Sequence, residues 1–291
     1  KALQKTLRKE DVHDSFINAE WQEVNDQNIL KIGYDDVIIV SSFNCEIKKH
    51  CITSIIGPNG CGKSTVLKAI GRIIPHAGGT IIINDQDMGK LKTLDIAKMM
   101  AILPQSPTAP SSISVFDLVS YGRYPYQKGL GRLKKEDKDI IEWALTVTHM
   151  QEFKNRAICN LSGGQRQRVW IAMALAQQTD IILLDEPTTY LDLNHQLEVL
   201  ELLKELNQKN NTTIVMVLHD LNLASKYSDF LLAMKDGKIE KYGTPKEVFD
   251  KEMLANCFQI DGEIIIDKNS EKPLCVSYEL LRKKGSEHNE E

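Results

Sequence analysis

The sequence is short of everything that would mark a disulfide-stapled, membrane-embedded or DNA-coating chain. Its 291 residues hold six cysteines, at 45, 51, 61, 159, 257 and 275, and no two of them form a CxxC pair. That is neither a disulfide framework nor a zinc spacing, so a reduced, cytosolic chain is expected. Long apolar runs are missing: the longest, such as Ile181-Ile182-Leu183-Leu184, are strand-sized. A membrane-spanning helix needs roughly 18–20 such residues. No signal peptide is recognisable. An excess of positive charge is missing too. Lys+Arg number 36 against 40 Asp+Glu, a formal charge of −4, which argues against nucleic-acid binding through a broad basic surface. Internal repeats and low-complexity tracts are absent, and no His/Cys/carboxylate cluster has metal-site spacing.

What is present is an ordinary water-soluble composition, 42% hydrophobic and 26% charged, long enough to bury a core without staples. At roughly 150 residues per domain the length allows one large domain or two small ones. Residues 1–28 are polar and mixed in charge, with one weak helical pattern, and read as a leader or an extra edge element. The β-branched runs Val37–Val40, Ile52–Ile56 and Thr80–Ile83 read as buried strands, the third closed by a polar turn at Asn84-Asp85. From about Ser114 to Ala176 the character is helical, and Lys135–His149 carries an apolar stripe through Ile140, Ile141, Ala144, Leu145 and Val147. Strands and helices then alternate: Ile181–Leu184, a helix around Leu193–Asn207, Ile214–Leu218, and a helix around Leu221–Tyr227. Alternation of this kind predicts an α/β fold with a mainly parallel sheet covered on both faces. A short helix and a hairpin, Glu263–Asp267 with Leu274–Tyr278, follow, and Arg282–Glu291 is a charged tail.

The strongest motif is Gly57-Pro58-Asn59-Gly60-Cys61-Gly62-Lys63-Ser64-Thr65. It fits GxxxxGK[ST] between a strand and a helix, the context that separates a phosphate loop from a chance glycine turn. Glycines let the backbone fold so that its N–H groups point at phosphate oxygens, and the following helix adds its positive end. Lys63 supplies a point charge for the β- and γ-phosphates of ATP, and Ser64 a hydroxyl for Mg²⁺. Cys61, beside Lys63 at a helix start, is in a setting that lowers a thiol pKa, so ready alkylation, blocked by nucleotide, is one expectation. An inert small side chain is the other.

A second signal is the apolar strand Ile181–Leu184 ending in Asp185-Glu186-Pro187. In a parallel sheet the C-terminal edge is where ligands bind. Side chains alternate along a strand, so the carboxylates should diverge: Asp185 toward Mg²⁺, Glu186 toward the attacking water. Alone, the pair reads equally well as a solvated turn.

A third is Leu161-Ser162-Gly163-Gly164-Gln165-Arg166-Gln167-Arg168, opening a helix 23 residues before Asp185. Ser-Gly-Gly ahead of a helix makes another anion-binding end. With the phosphate loop upstream and the strand carboxylates downstream, the sequence resembles the ATP-binding subunits of ABC transporters over roughly residues 30–260. The order LSGGQ between Walker A and Walker B motifs is highly specific.

The resemblance implies roles for further residues. Tyr34 matches the aromatic that stacks on adenine, Gln105 the Q-loop glutamine that touches Mg²⁺ or water, Asp192 the D-loop aspartate, and His219 the switch histidine at the γ-phosphate. It implies an α/β P-loop ATPase core with a small antiparallel β region and a helical subdomain near 108–175, within an ATPase domain spanning 29–260. Residues 261–291 would then be a C-terminal extension and tail. It implies a second copy, paired head to tail, with ATP and Mg²⁺ between Lys63 of one chain and Ser162-Gly163-Gly164-Gln165 of the other. Integral membrane permease subunits would be the other partners, driven through the Gln105 segment and the helical subdomain. An extracytoplasmic substrate-binding protein would act indirectly, nucleic acid would play no part, and the chain would sit peripherally on the cytoplasmic face of the cell membrane. Thr188–Asp192, His195-Gln196-Leu197, Val217–Asn222 and Ser120–Pro125 are similar to the importer subunits for iron–siderophore complexes. Haem and vitamin B12 importers are close relatives. ABC-type ATPases that act on ribosomes or DNA ends carry two cassettes or a coiled-coil insert, and this sequence has neither. Two features depart from the family pattern: the long polar leader, and His50 where the turn before the Walker A strand usually has Gly.

Overall fold

Three strands of the chain, Ile52–Ile56, Ile181–Asp185 and Thr213–Val217, are buried at every position. Strands of that kind need cover on both faces. The computed structural model describes residues 15–17, 30–34, 37–127 and 132–281. Its main sheet runs in the order His76–Gly78, Leu30–Tyr34, Val37–Phe43, Lys238–Gly243, Phe230–Lys235, Ile52–Ile56, Thr213–Val217, Ile181–Asp185, Met100–Leu103. The last five strands of that order are mutually parallel. The pairs Phe230–Lys235 with Lys238–Gly243, and Leu30–Tyr34 with its two neighbours, are antiparallel.

Alternation divides the strand side chains between two cores. Ile55, Ile181, Leu183, Val215 and Val217 pack with Val66, Leu67 and Ile70 of the helix Lys63–Ile70. Ile52, Ile56, Ile182, Leu184, Ile214 and Met216 face the other way, into a core shared with the helices Val115–Ser120, Lys135–Val147, Gly163–Ala176 and Leu193–Asn210. Each fully buried Leu or Ile contributes about 1.5–3 kcal/mol relative to an exposed one.

Register aligns the functional edge. Asp185 pairs with Val217, Val217 with Ile55, and Leu184 with Leu103. Gly57, Gln105, Glu186 and His219 therefore all leave the sheet at the same C-terminal edge.

The structure departs from the sequence expectations in several places. Val37–Phe43 is a half-buried strand, with Val40 inside and Ile38 exposed. Of the Thr80–Ile83 run only Ile82–Ile83 pairs, in a tight hairpin with Gln86–Asp87 through left-handed Asn84 and Asp85. Ser15–Ile17, within the segment whose sequence carries a weak helical pattern, is a strand lying between Ile47–Lys48 and Ile82–Ile83. The remainder of 1–29, and 282–291, lie outside the described residues. His50 takes the left-handed conformation, φ 59°, that glycine would occupy without cost. Its backbone is held by Thr213 Oγ1, which accepts from His50 N at 2.9 Å, and by Asn207 Nδ2, which donates to His50 O at 2.8 Å.

In the helical region Arg123 and Asp137 form a buried ion pair at 2.9 Å, and Arg123 also donates to Ala176 O at 2.8 Å. These contacts tie the Tyr121–Tyr126 turn to both long helices. At the far end, Ile260–Ile266 and Pro273–Leu280 form an antiparallel hairpin. Asn222 clamps it, donating to Cys275 O and accepting from Cys275 N, while Ser225 Oγ donates to Pro273 O.

Candidate functional site

The Gly57–Thr65 loop is shaped by close packing. At Gly57, φ 151°, any Cβ would strike the Met234 carbonyl, and at Gly62, φ 101°, one would crowd Val40. Only glycine permits both the backbone conformation and the approach. Lys63 is buried and donates to Gly57 O at 2.8 Å and Pro58 O at 2.9 Å, so its ammonium is held across the loop mouth.

The two carboxylates take different partners, but not through strand alternation: the strand ends at Asp185, and Glu186 follows it with a left-handed backbone. Asp185 is 2% exposed, and its Oδ1 accepts from Ser64 Oγ at 2.7 Å. Its other oxygen, Oδ2, is buried with no hydrogen-bond partner. Burial pushes the Asp185 carboxyl up, against the Ser64 hydrogen bond and the pull of Lys68 and Lys63. A buried orphan carboxylate oxygen beside a serine hydroxyl suits a hard cation.

Glu186 turns the other way, from a backbone at φ 54°, a conformation that costs a non-glycine residue about 1–3 kcal/mol. Its Oε2 accepts from Gln105 Nε2 at 2.6 Å and Thr189 Oγ1 at 2.9 Å, and its Oε1 lies 2.6 Å from His219 Nε2. Burial alone would raise this carboxyl. The hydrogen bonds from His219, Thr189 and Gln105 outweigh it and hold Glu186 below the usual carboxylate range, so it is an anion at neutral pH. Together these groups line a cleft of about 520 Å³ with Asn59, Gly60, Gly62 and Tyr190.

Tyr34 ends its strand, and its side chain lies outside the described residues. Cys61 contradicts the alkylation expectation: it is buried at 4% exposure, and burial raises its thiol pKa although Lys63 and nearby amides pull it down. Position beside a lysine is outweighed by exclusion from water.

Ser162, Gly163, Gly164 and Gln165 do not reach this cleft within the chain. Ser162 Oγ accepts from Gln165 N at 3.2 Å and Gln165 Oε1 accepts from Ser162 N at 3.0 Å, a reciprocal cap on the helix Gly163–Ala176. Gly163 opens onto a second cleft of about 420 Å³ with Cys159, Arg166, Trp170 and Tyr190. Asp192 stands nearby as the cap of Leu193–Asn210, its Oδ1 accepting from His195 N at 2.9 Å. The His195 amide and ring hold the Asp192 carboxyl below its ordinary value.

Sequence reasoning missed the role of Thr189. The only sign was a hydroxyl residue three places after Glu186, which a turn brings back onto the carboxylate.

The sequence model of the ABC transporter family matches residues 40–189. The chain belongs to the ABC transporter family. It is 54% identical over 253 residues to the iron(3+)-hydroxamate import ATP-binding protein FhuC of Bacillus subtilis (strain 168), covering 87% of this chain and 94% of that protein. To the ferric enterobactin transport ATP-binding protein FepC of Escherichia coli (strain K12) it is 41% identical, over 85% of this chain and 91% of the relative. Among solved structures it is similar to a putative metal-chelate type ABC transporter in an inward-facing conformation, with TM-score 0.72, 29% identity, and 86% and 97% of the two chains covered. A dimeric bacterial ABC transporter cassette superposes with TM-score 0.66 at 28% identity, over 79% of this chain and 98% of that one. The ABC chain described here is an ATP-binding subunit and an ATPase. Among its described residues no helix is long and apolar enough to cross a membrane.

Proposed function

We propose that this ATPase powers import of an iron–siderophore complex through a membrane permease, working as a head-to-tail pair on the cytoplasmic face of the membrane. The observation that carries the catalytic part is Glu186, a carboxylate held as an anion by Gln105, Thr189 and His219 beside the phosphate loop. In this reading Glu186 orients or deprotonates the attacking water, His219 and Lys63 hold the γ-phosphate, and Gly57–Thr65 cradles the phosphates, with Tyr34 on the adenine. Ser64, Asp185 and Gln105 would hold Mg²⁺, which when bound supplies charge neutralisation at the phosphates. The orphan oxygen of Asp185 supports that assignment.

The absence of the Ser162–Gln165 motif from the cleft around Lys63 supports pairing. Ser162, Gly163 and Asp192 are exposed and line no part of the cleft around Lys63, and a head-to-tail partner would bring the Ser162–Gln165 helix start to the second nucleotide. The cargo reading rests on relatives that import iron(3+)-hydroxamate and ferric enterobactin. The test is uptake of radiolabelled iron in cells lacking this chain. Loss of ferric hydroxamate uptake, restored by the parent but not by Glu186→Gln, is expected. Unchanged iron uptake with lost haem or vitamin B12 uptake would overturn the cargo and leave the ATPase reading standing.

A further inference from the structure

The imidazole of His195 is fixed from two sides. Its Nδ1 lies 2.7 Å from Asp192 Oδ1, the oxygen that also accepts the His195 backbone amide. A Cβ at Gly164 would lie 2.3 Å from the His195 Cδ2 and 2.8 Å from its Cγ, so any side chain at Gly164 would collide with the ring. Gly164 is buried, while the cap residue Ser162 and Gly163 next to it are exposed. One ring therefore fills the space between the D-loop and the start of the helix Gly163–Ala176. A second tie lies further along the same two helices, where Arg168 pairs with Glu198. The ring contact is the one nearest the phosphate-facing end.

We propose that His195 is a positioning residue for ATP hydrolysis. Oriented by Asp192, its ring makes the D-loop and the Ser162–Gln165 helix start move as one body. The aim of Ser162 and Gly163 at a partner's nucleotide is then set by the same carboxylate that caps the next helix. This inference rests on the head-to-tail pairing proposed above. A side chain that only covered helix surface would not need its ring nitrogen held by the residue three places earlier while its carbon edge replaces a Cβ on a different helix. Misplacing a reacting assembly by about 1 Å costs up to ~10²-fold in rate, so a lost spacer at this contact has a measurable consequence even though it touches no substrate.

The test uses the full chain with His195→Ala and His195→Asn, each also in a Glu186→Gln background. Asparagine can place its amide where Nδ1 stands and keep the bond to Asp192. His195→Ala is expected to lower turnover by about tenfold or more, and to weaken ATP-driven dimerisation of the Glu186→Gln protein in sedimentation by a similar factor. KM and the affinity of dilute, monomeric protein for Mg-ATP stay within about twofold of the parent. His195→Asn is expected to recover part of both losses. Parent-like turnover and dimerisation in His195→Ala would overturn the proposal. So would a parallel loss of Mg-ATP affinity, which marks a general folding defect, or an Asn variant no better than Ala. If the Glu186→Gln parent itself stays monomeric with ATP, the pairing underneath is what fails.

Discussion

The two glycine-rich motifs sit in opposite circumstances. The phosphate loop is finished within the chain: Lys63 is buried against its own loop carbonyls, Ser64 is bonded to Asp185, and Glu186 is gripped by three side chains from three different segments. The Ser162–Gln165 motif is bonded mainly to itself, through a reciprocal cap that leaves Ser162 and Gly163 in solvent. One motif is a complete half of a site and the other is a complete surface. In the pairing proposed above, a second copy would bring the two motifs together.

That contrast can be broken in descending steps. The largest effect falls on the enclosed half. Glu186→Gln should lower turnover by about 10²–10⁴-fold, the range of general-base contributions, while equilibrium dialysis finds Mg-ATP affinity kept. Near-parental turnover would remove Glu186 from its role. Lys63→Ala comes next. Losing charge-assisted bonds of about 1.5–3 kcal/mol should weaken nucleotide affinity by roughly 10–150-fold, read by nucleotide titration. Ser162→Ala strikes the exposed half. It removes a helix cap, about 1 kcal/mol of stability by denaturant titration, and should leave monomer affinity for ATP unchanged while reducing ATP-driven dimerisation. An equal fall in monomer affinity would erase the distinction between the halves. The smallest effect is at Cys61. Thiol labelling followed by peptide mass mapping should modify the exposed Cys159 first, and Cys61 hardly at all with or without Mg-ATP.

The fold and the enclosed half were legible because their signals are local and redundant. A β-branched run, a glycine loop and a lysine lie in one contiguous stretch at Ile52–Thr65, and the Ile181–Asp185 strand announces its burial by having no polar residue before its end. Strand alternation suggested that Asp185 and Glu186 would take different partners, while the left-handed turn at Glu186 that aims it lay beyond that reasoning. What the sequence could not express was competition. Cys61 has a lysine and a helix start beside it, and nothing in the order of residues says that packing buries the side chain away from water. Contacts between distant segments were equally silent. Thr189 is one hydroxyl among many until a turn returns it to Glu186. Gly164 looks like a phosphate-binding glycine, and only packing reveals that its missing side chain makes room for His195.

The C-terminal hairpin carries a consequence for how the chain bears mechanical load. Asn222 and Ser225, which hold it, lie on the first two turns of the helix that begins just after His219. The hairpin is thereby stitched to the corner that aims the histidine at Glu186. Trimming the chain at 260 would take away the partners of that amide and that hydroxyl and uncover the wall around Leu254 and Tyr227. The resulting slack would arrive first at His219, so the hairpin Ile260–Ile266 and Pro273–Leu280 serves as ballast for a side chain in the catalytic cleft.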